Sequence, residues 1–133
     1  MFDIGQLGDN GLIVCVVNED LLSTDAAAIK SYLGTRLATT QVPIRFLIDL
    51  SLVKGRPQQR LARLATMMRH APHIFAHPNL FEVVVVLWSW DGLVDPGYLA
   101  FRLPELGGGR VLIFSGIEDA LNYAHEPMGM YLS

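Results

Sequence analysis

Apolar positions along this chain follow two different periods, and the alternation between them sets out the fold. Leu12-Ile13-Val14-Cys15-Val16-Val17 is an unbroken apolar run, and strand chemistry returns at Ile44 to Leu50, at Val83 to Trp88 and at Arg110 to Phe114. Short runs of this kind, rich in β-branched residues, predict strands covered on both faces. Four consecutive valines, Val83 to Val86, favour a pleated backbone over a helix. Between the runs the spacing lengthens. Ile29, Leu33 and Leu37 recur at helical intervals behind a Ser23-Thr24-Asp25 cap, and Leu61, Leu64, Ala65 and Met68 draw one stripe behind Pro57. Ile117, Ala120, Leu121 and Ala124 give a last helix its apolar face.

Punctuation residues bound these elements. Gly8-Asp9-Asn10-Gly11 predicts a turn joining an edge strand over Phe2 to Leu7 to the first apolar run, since Asn-Gly is a strong hairpin signal. Pro72 ends or kinks the second helix. A short helix is expected around Tyr98 to Arg102, and Gly107-Gly108-Gly109 reads as a turn before the last strand, because a phosphate loop would lead into a helix instead. Ser115-Gly116-Ile117-Glu118 has the form of a capping box. The predicted order is β-β-α-β-α-β-α-β-α, which implies one α/β domain over 1–133 with a mostly parallel sheet and one antiparallel edge hairpin.

Composition narrows the class. With 51% hydrophobic and 17% charged residues the chain is expected to fold rather than remain disordered. Its longest apolar block, Phe81 to Trp88 interrupted by Glu82, is far below the ~20 residues needed to cross a bilayer. One cysteine, and a start without a basic signal, predict a cytoplasmic protein. The net charge of −3 predicts no nucleic-acid binding. The charge is unevenly spread, however: no acidic residue lies between Asp49 and Glu82, yet Lys54, Arg56, Arg60, Arg63 and Arg69 all fall there.

Few residues offer chemistry. His70, His73 and His77 form the most metal-like group, but prolines bracket the last two and no acid or cysteine stands nearby, so no metal site is expected. Cys15 lies in an apolar strand and reads as a buried thiol. Asp49 and Ser51 stand at the carboxyl end of a parallel strand, where open α/β sheets form ligand crevices. Ser51 could serve a hydrolase with a histidine base, but Leu50 and Leu52 flank it where a nucleophile elbow needs small residues. Trp90, Tyr98 and Phe101 can line a pocket at the same strand ends. Arg56, Arg60 and Arg63, spaced i, i+4 and i+7 behind Lys54, would put three guanidinium groups on one helix face, an anion site for an acidic protein partner, a lipid headgroup or a phosphate.

The element order and two local patterns resemble the STAS domain, the fold of sulfate transporters and anti-sigma-factor antagonists, in its SpoIIAA-like branch. The patterns are Phe46-Leu47-Ile48-Asp49-Leu50-Ser51-Leu52-Val53, similar to that fold's third strand, and Val111-Leu112-Ile113-Phe114 followed by Glu118-Asp119-Ala120-Leu121, similar to its last strand and helix. The resemblance implies a mixed sheet of about five strands, an N-terminal β-hairpin and about four helices. It also implies a pocket for an apolar or lipid-like ligand, or a protein-interaction surface. One departure matters. Anti-sigma antagonists carry the regulatory phosphate on a serine of the turn opening the second helix, and here those positions are Pro57, Gln58, Gln59 and Arg60. Without an acceptor, no phospho-switch is expected.

Three functions follow as expectations. The first is a non-enzymatic regulatory module, without cofactor, that binds a small apolar or amphipathic ligand near Asp49, Ser51, Trp90, Tyr98 and Phe101. The second is a protein-interaction module using Lys54, Arg56, Arg60 and Arg63. The third is a hydrolase centred on Ser51. A homodimer is compatible with the apolar content.

Overall fold

The computed structural model describes residues 2–8, 11–18, 23–53, 57–87, 98–103 and 109–125. In chain order these form β1 (Phe2–Gln6), β2 (Leu12–Val17), α1 (Ser23–Thr39), β3 (Ile44–Asp49), α2 (Pro57–Arg69), α3 (Pro72–Phe75), β4 (Leu80–Val86), β5 (Tyr98–Leu103), β6 (Gly109–Phe114) and α4 (Ile117–Ala124). The strands make one sheet in the order β1-β2-β3-β4-β6-β5. The central pairs β2–β3, β3–β4 and β4–β6 are parallel, and the outer pairs β1–β2 and β5–β6 are antiparallel.

Parallel strands need covering on both faces, and the pleat divides their side chains accordingly. Ile13, Cys15, Phe46, Ile48, Val83, Val85, Val111 and Ile113 point to the face covered by α1, α2 and α3, where Ile29, Leu33, Leu37, Leu64, Met68 and Ile74 meet them. The intervening Leu12, Leu47, Val84, Val86, Leu112 and Phe114 point to the other face, where α4 contributes Ala120 and Ala124. Every residue of β3 is buried.

Two expectations are corrected and a third is extended. Tyr98–Leu103 is a strand, not a helix, so β5 extends the five expected strands to six. A six-residue apolar run has too few repeats to separate period 2 from period 3.6, and antiparallel pairing with β6 decides it. The Ser115–Glu118 capping box does not form: Gly116, with extended backbone, is the N-cap, and it supplies no side-chain bond. The helix starts one residue later than the box requires, which leaves Ser115 exposed in front of it. Pro72 does more than end α2, because it opens a separate four-residue helix, α3. Of the β1–β2 turn, Asp9 and Asn10 lie outside the described residues, as do Trp88, Gly107 and Gly108.

Gly8 and Gly11 flank that turn at φ +75° and +80°. Space around Gly8 is open, whereas a Cβ on Gly11 would sit against the Pro43 carbonyl. Gly8→Ala should therefore cost about 1 kcal/mol from its left-handed backbone. Gly11→Ala should cost at least about 2 kcal/mol, because the collision adds to the same strain. Urea melts of the two variants check this, and equal midpoints would contradict it.

Candidate functional site

Two ends of the sheet collect the polar side chains, and they differ in character. At the carboxyl edge, β3 runs out at Asp49 and the chain turns at once. Asp49 Oδ1 accepts from the Ser51 N–H at 2.9 Å, and the Leu50 carbonyl accepts from the Val53 N–H at 3.1 Å. Leu50 N–H donates to the Val86 carbonyl at 2.9 Å, so the turn is tied to β4 as well. Short side-chain-to-backbone bonds of this Asx kind replace the ladder where a strand ends. The result is a fixed turn with Ser51 half-buried and Leu52 58% exposed.

Arg60 completes that turn from α2. Its guanidinium Nη1 donates to the Leu50 carbonyl at 3.4 Å, and the residue is only 5% exposed. This corrects the expected helix face of three arginines, since Arg60 turns inward. At roughly 100° per residue, position 60 lies close to positions 64 and 67, so Arg60 belongs to the stripe that buries Leu64, Met67 and Met68. Arg63 is exposed on α2. Lys54 and Arg56 lie outside the described residues, as does Trp90, and for Tyr98 and Phe101 the description stops at the backbone.

Register shows which candidates share the carboxyl edge. Asp49 pairs with Val86, Val86 with Phe114, and Phe114 with Tyr98, so Asp49 and Tyr98 stand on one row across the sheet. Phe101 pairs with Val111, three residues nearer the amino edge. The structure therefore gathers Asp49, Ser51, Arg60 and the Tyr98 position at one edge and sets Phe101 apart.

All four histidines lie at the opposite edge. His70 and His73 follow the end of α2 and are exposed, His77 accepts from the Asn79 N–H through Nδ1 at 3.0 Å, and His125 ends α4. The length of β3, about 20 Å at roughly 3.3 Å per residue, separates them from Ser51. No histidine is within reach to serve Ser51 as a base. Among the described residues no group of three or more histidine, cysteine or acidic side chains is arranged to hold a metal ion.

The amino edge holds a polar cluster that was not anticipated. Glu82 of β4 is buried, accepts from Arg45 Nε at 2.6 Å and Tyr123 Oη at 2.9 Å, and forms an ion pair with Arg110 Nε at 3.4 Å. Arg45 of β3 is buried beside it and donates through Nη1 to the Ala124 carbonyl at 2.6 Å, at the negative end of α4. Its guanidinium carbon lies 4.9 Å from the Tyr123 ring centre and 5.6 Å from that of Phe81. Burial, then the hydrogen bond and charge of Glu82, push the Tyr123 phenol well above the ordinary tyrosine range, so it stays a donor. The signal in the sequence was a charge near the amino end of each of two apolar strands, opposite in sign. Removing the carboxylate would leave a buried cation, and Glu82→Ala should cost about 3–5 kcal/mol by chemical denaturation. A loss below about 1 kcal/mol would contradict the pairing.

Cys15 is inert by construction. Burial, with smaller effects from Asp25, Asp3 and Asp49, pushes its thiol up to about 12. The folded protein should resist iodoacetamide at pH 8 and react fully once unfolded, as intact-mass measurement would show. The unfolded thiol loses its proton near 9.0 while the folded one holds it to about 12. The folded state thus binds more protons across that window, and stability should fall as pH rises through it.

None of the described helices is long and apolar enough to cross a membrane. No protein-family model matches the chain, and no curated protein matches it in sequence.

Proposed function

We propose that this chain is a non-enzymatic regulatory or binding module, built in the manner of a SpoIIAA-like STAS domain, that takes a small apolar or amphipathic ligand at the carboxyl edge of its sheet. The observation that carries this reading is the pinned Asp49–Val53 turn. Four hydrogen bonds, one of them from a buried arginine, hold a turn whose outward residue is an exposed leucine. Ordering a turn costs roughly 1–2 kcal/mol per residue, and a turn already ordered meets a ligand without that cost. Leu52 supplies apolar contact, while Ser51 and Asp49 supply the few polar groups that orient an amphipathic molecule. The hairpin start, the parallel centre and the helix following β3 agree with the STAS-like layout, which is a resemblance of arrangement.

A second reading rests on Arg63, which is exposed on α2 and follows the basic stretch from Lys54. It makes α2 a docking face for an acidic protein partner. Turning Arg60 into the core weakens that face and favours the ligand reading.

Native mass spectrometry of gently purified protein, beside a denatured sample, tests the proposal. The expected result is an added mass that disappears on denaturation and is lost in Leu52→Asp, whose melting temperature stays unchanged because the side chain is exposed. A wild-type spectrum without added mass overturns the ligand reading. Partner capture that fades between about 0.01 M and 1 M salt would then support the arginine face.

A further inference from the structure

We infer that α4 is a latched cover, held on the sheet by a light apolar face together with the charged cluster at its carboxyl end, and able to lift as a unit while the sheet stays folded. Helices shorter than ~12–15 residues are marginal alone in water, and α4 has eight. Its buried side chains are two alanines, Ala120 and Ala124, while Ile117, Leu121 and Tyr123 pack on the same core only partly buried. By contrast α1, across the sheet, buries Ile29, Leu33 and Leu37 completely.

Polar contacts add to this light packing, and those contacts converge. Arg45 donates to the Ala124 carbonyl, Tyr123 donates to Glu82, and Glu82 also fixes Arg45. One carboxylate therefore controls the bonds at the end of the helix. The other end is a short link, Ser115 and Gly116, with open space around Gly116. Beneath the helix lie Leu47, Val84, Leu112 and Phe114, an apolar surface that lifting would uncover.

The inference stands apart from the ligand reading, since it concerns the opposite edge and needs no bound molecule. Hydrogen exchange read by mass spectrometry tests it on the full chain, comparing wild type with E82Q and Y123F. Y123F keeps the ring that packs 5.4 Å from Phe114 and removes only the hydroxyl. The expected result is exchange over 117–125 faster by about tenfold in Y123F, the factor one hydrogen bond to a charged group is worth. The peptides of β3 and β4 keep their protection, and binding of a dye for apolar surface rises in parallel. In E82Q the same change is larger, and if that variant unfolds outright Y123F alone decides. Exchange in α4 that moves only in step with β3 and β4, or does not move in Y123F, overturns the inference.

Discussion

Arg45 and Glu82 face each other across the two central strands of the sheet, with almost no solvent reaching either. A buried pair of this kind costs several kcal/mol per ion to desolvate, and the mutual attraction offsets that only if the remaining donors and acceptors are used. Here α4 supplies part of that: its last carbonyls accept from Arg45 Nη1 and its tyrosine donates to the carboxylate. The pair therefore constrains three things together, namely the register of β3 against β4, the seating of the last helix and the ionisation of Tyr123. A shift of one residue between those strands would turn one partner to the opposite face. A pair of apolar side chains could fill the same volume but would not select the register in this way.

This arrangement makes the two edges of the sheet unlike along the strand direction. The amino edge is closed by the ion cluster, the histidine turns and the end of α4, and its polar groups are committed to one another. At the carboxyl edge the chain leaves β3 through a turn that is rigid yet presents its outer side chains. The parallel core makes the two ends unequal, because every β-to-α link leaves from the same edge. Function is therefore proposed where the backbone is pinned but the side chains are not consumed by the fold.

Much of the architecture was legible in the sequence, for reasons that can be assigned. Long runs such as Leu12–Val17 and the four valines of β4 left no rival to a buried strand, and Ile29, Leu33 and Leu37 left none to a helix. Tyr98–Leu103 was too short for its period to decide between helix and strand, and only pairing with β6 resolved it. Arg60 misled because charge was read as exposure, although the spacing from Arg60 to Leu64 is a one-face spacing. Arg45 and Glu82 were each visible as an interruption of an apolar strand. Their partnership was not, since 37 residues separate them and only the β3–β4 register brings them together.

Arg60 also bears on how the proposed module would work. On the STAS-like reading, the turn opening α2 is the place where a phosphate would be added, and the charge there would change with the state of the cell. In this chain that position carries a permanent guanidinium turned inward and bonded to the carbonyl of Leu50. A fixed internal charge rigidifies the turn it touches, because moving the turn would expose or strand the cation. On the proposed reading, such a module lacks the phosphate acceptor of the turn opening α2. On that reading, control would come from the abundance of the ligand, or from a different element such as α4, whose docking depends on groups at the far edge.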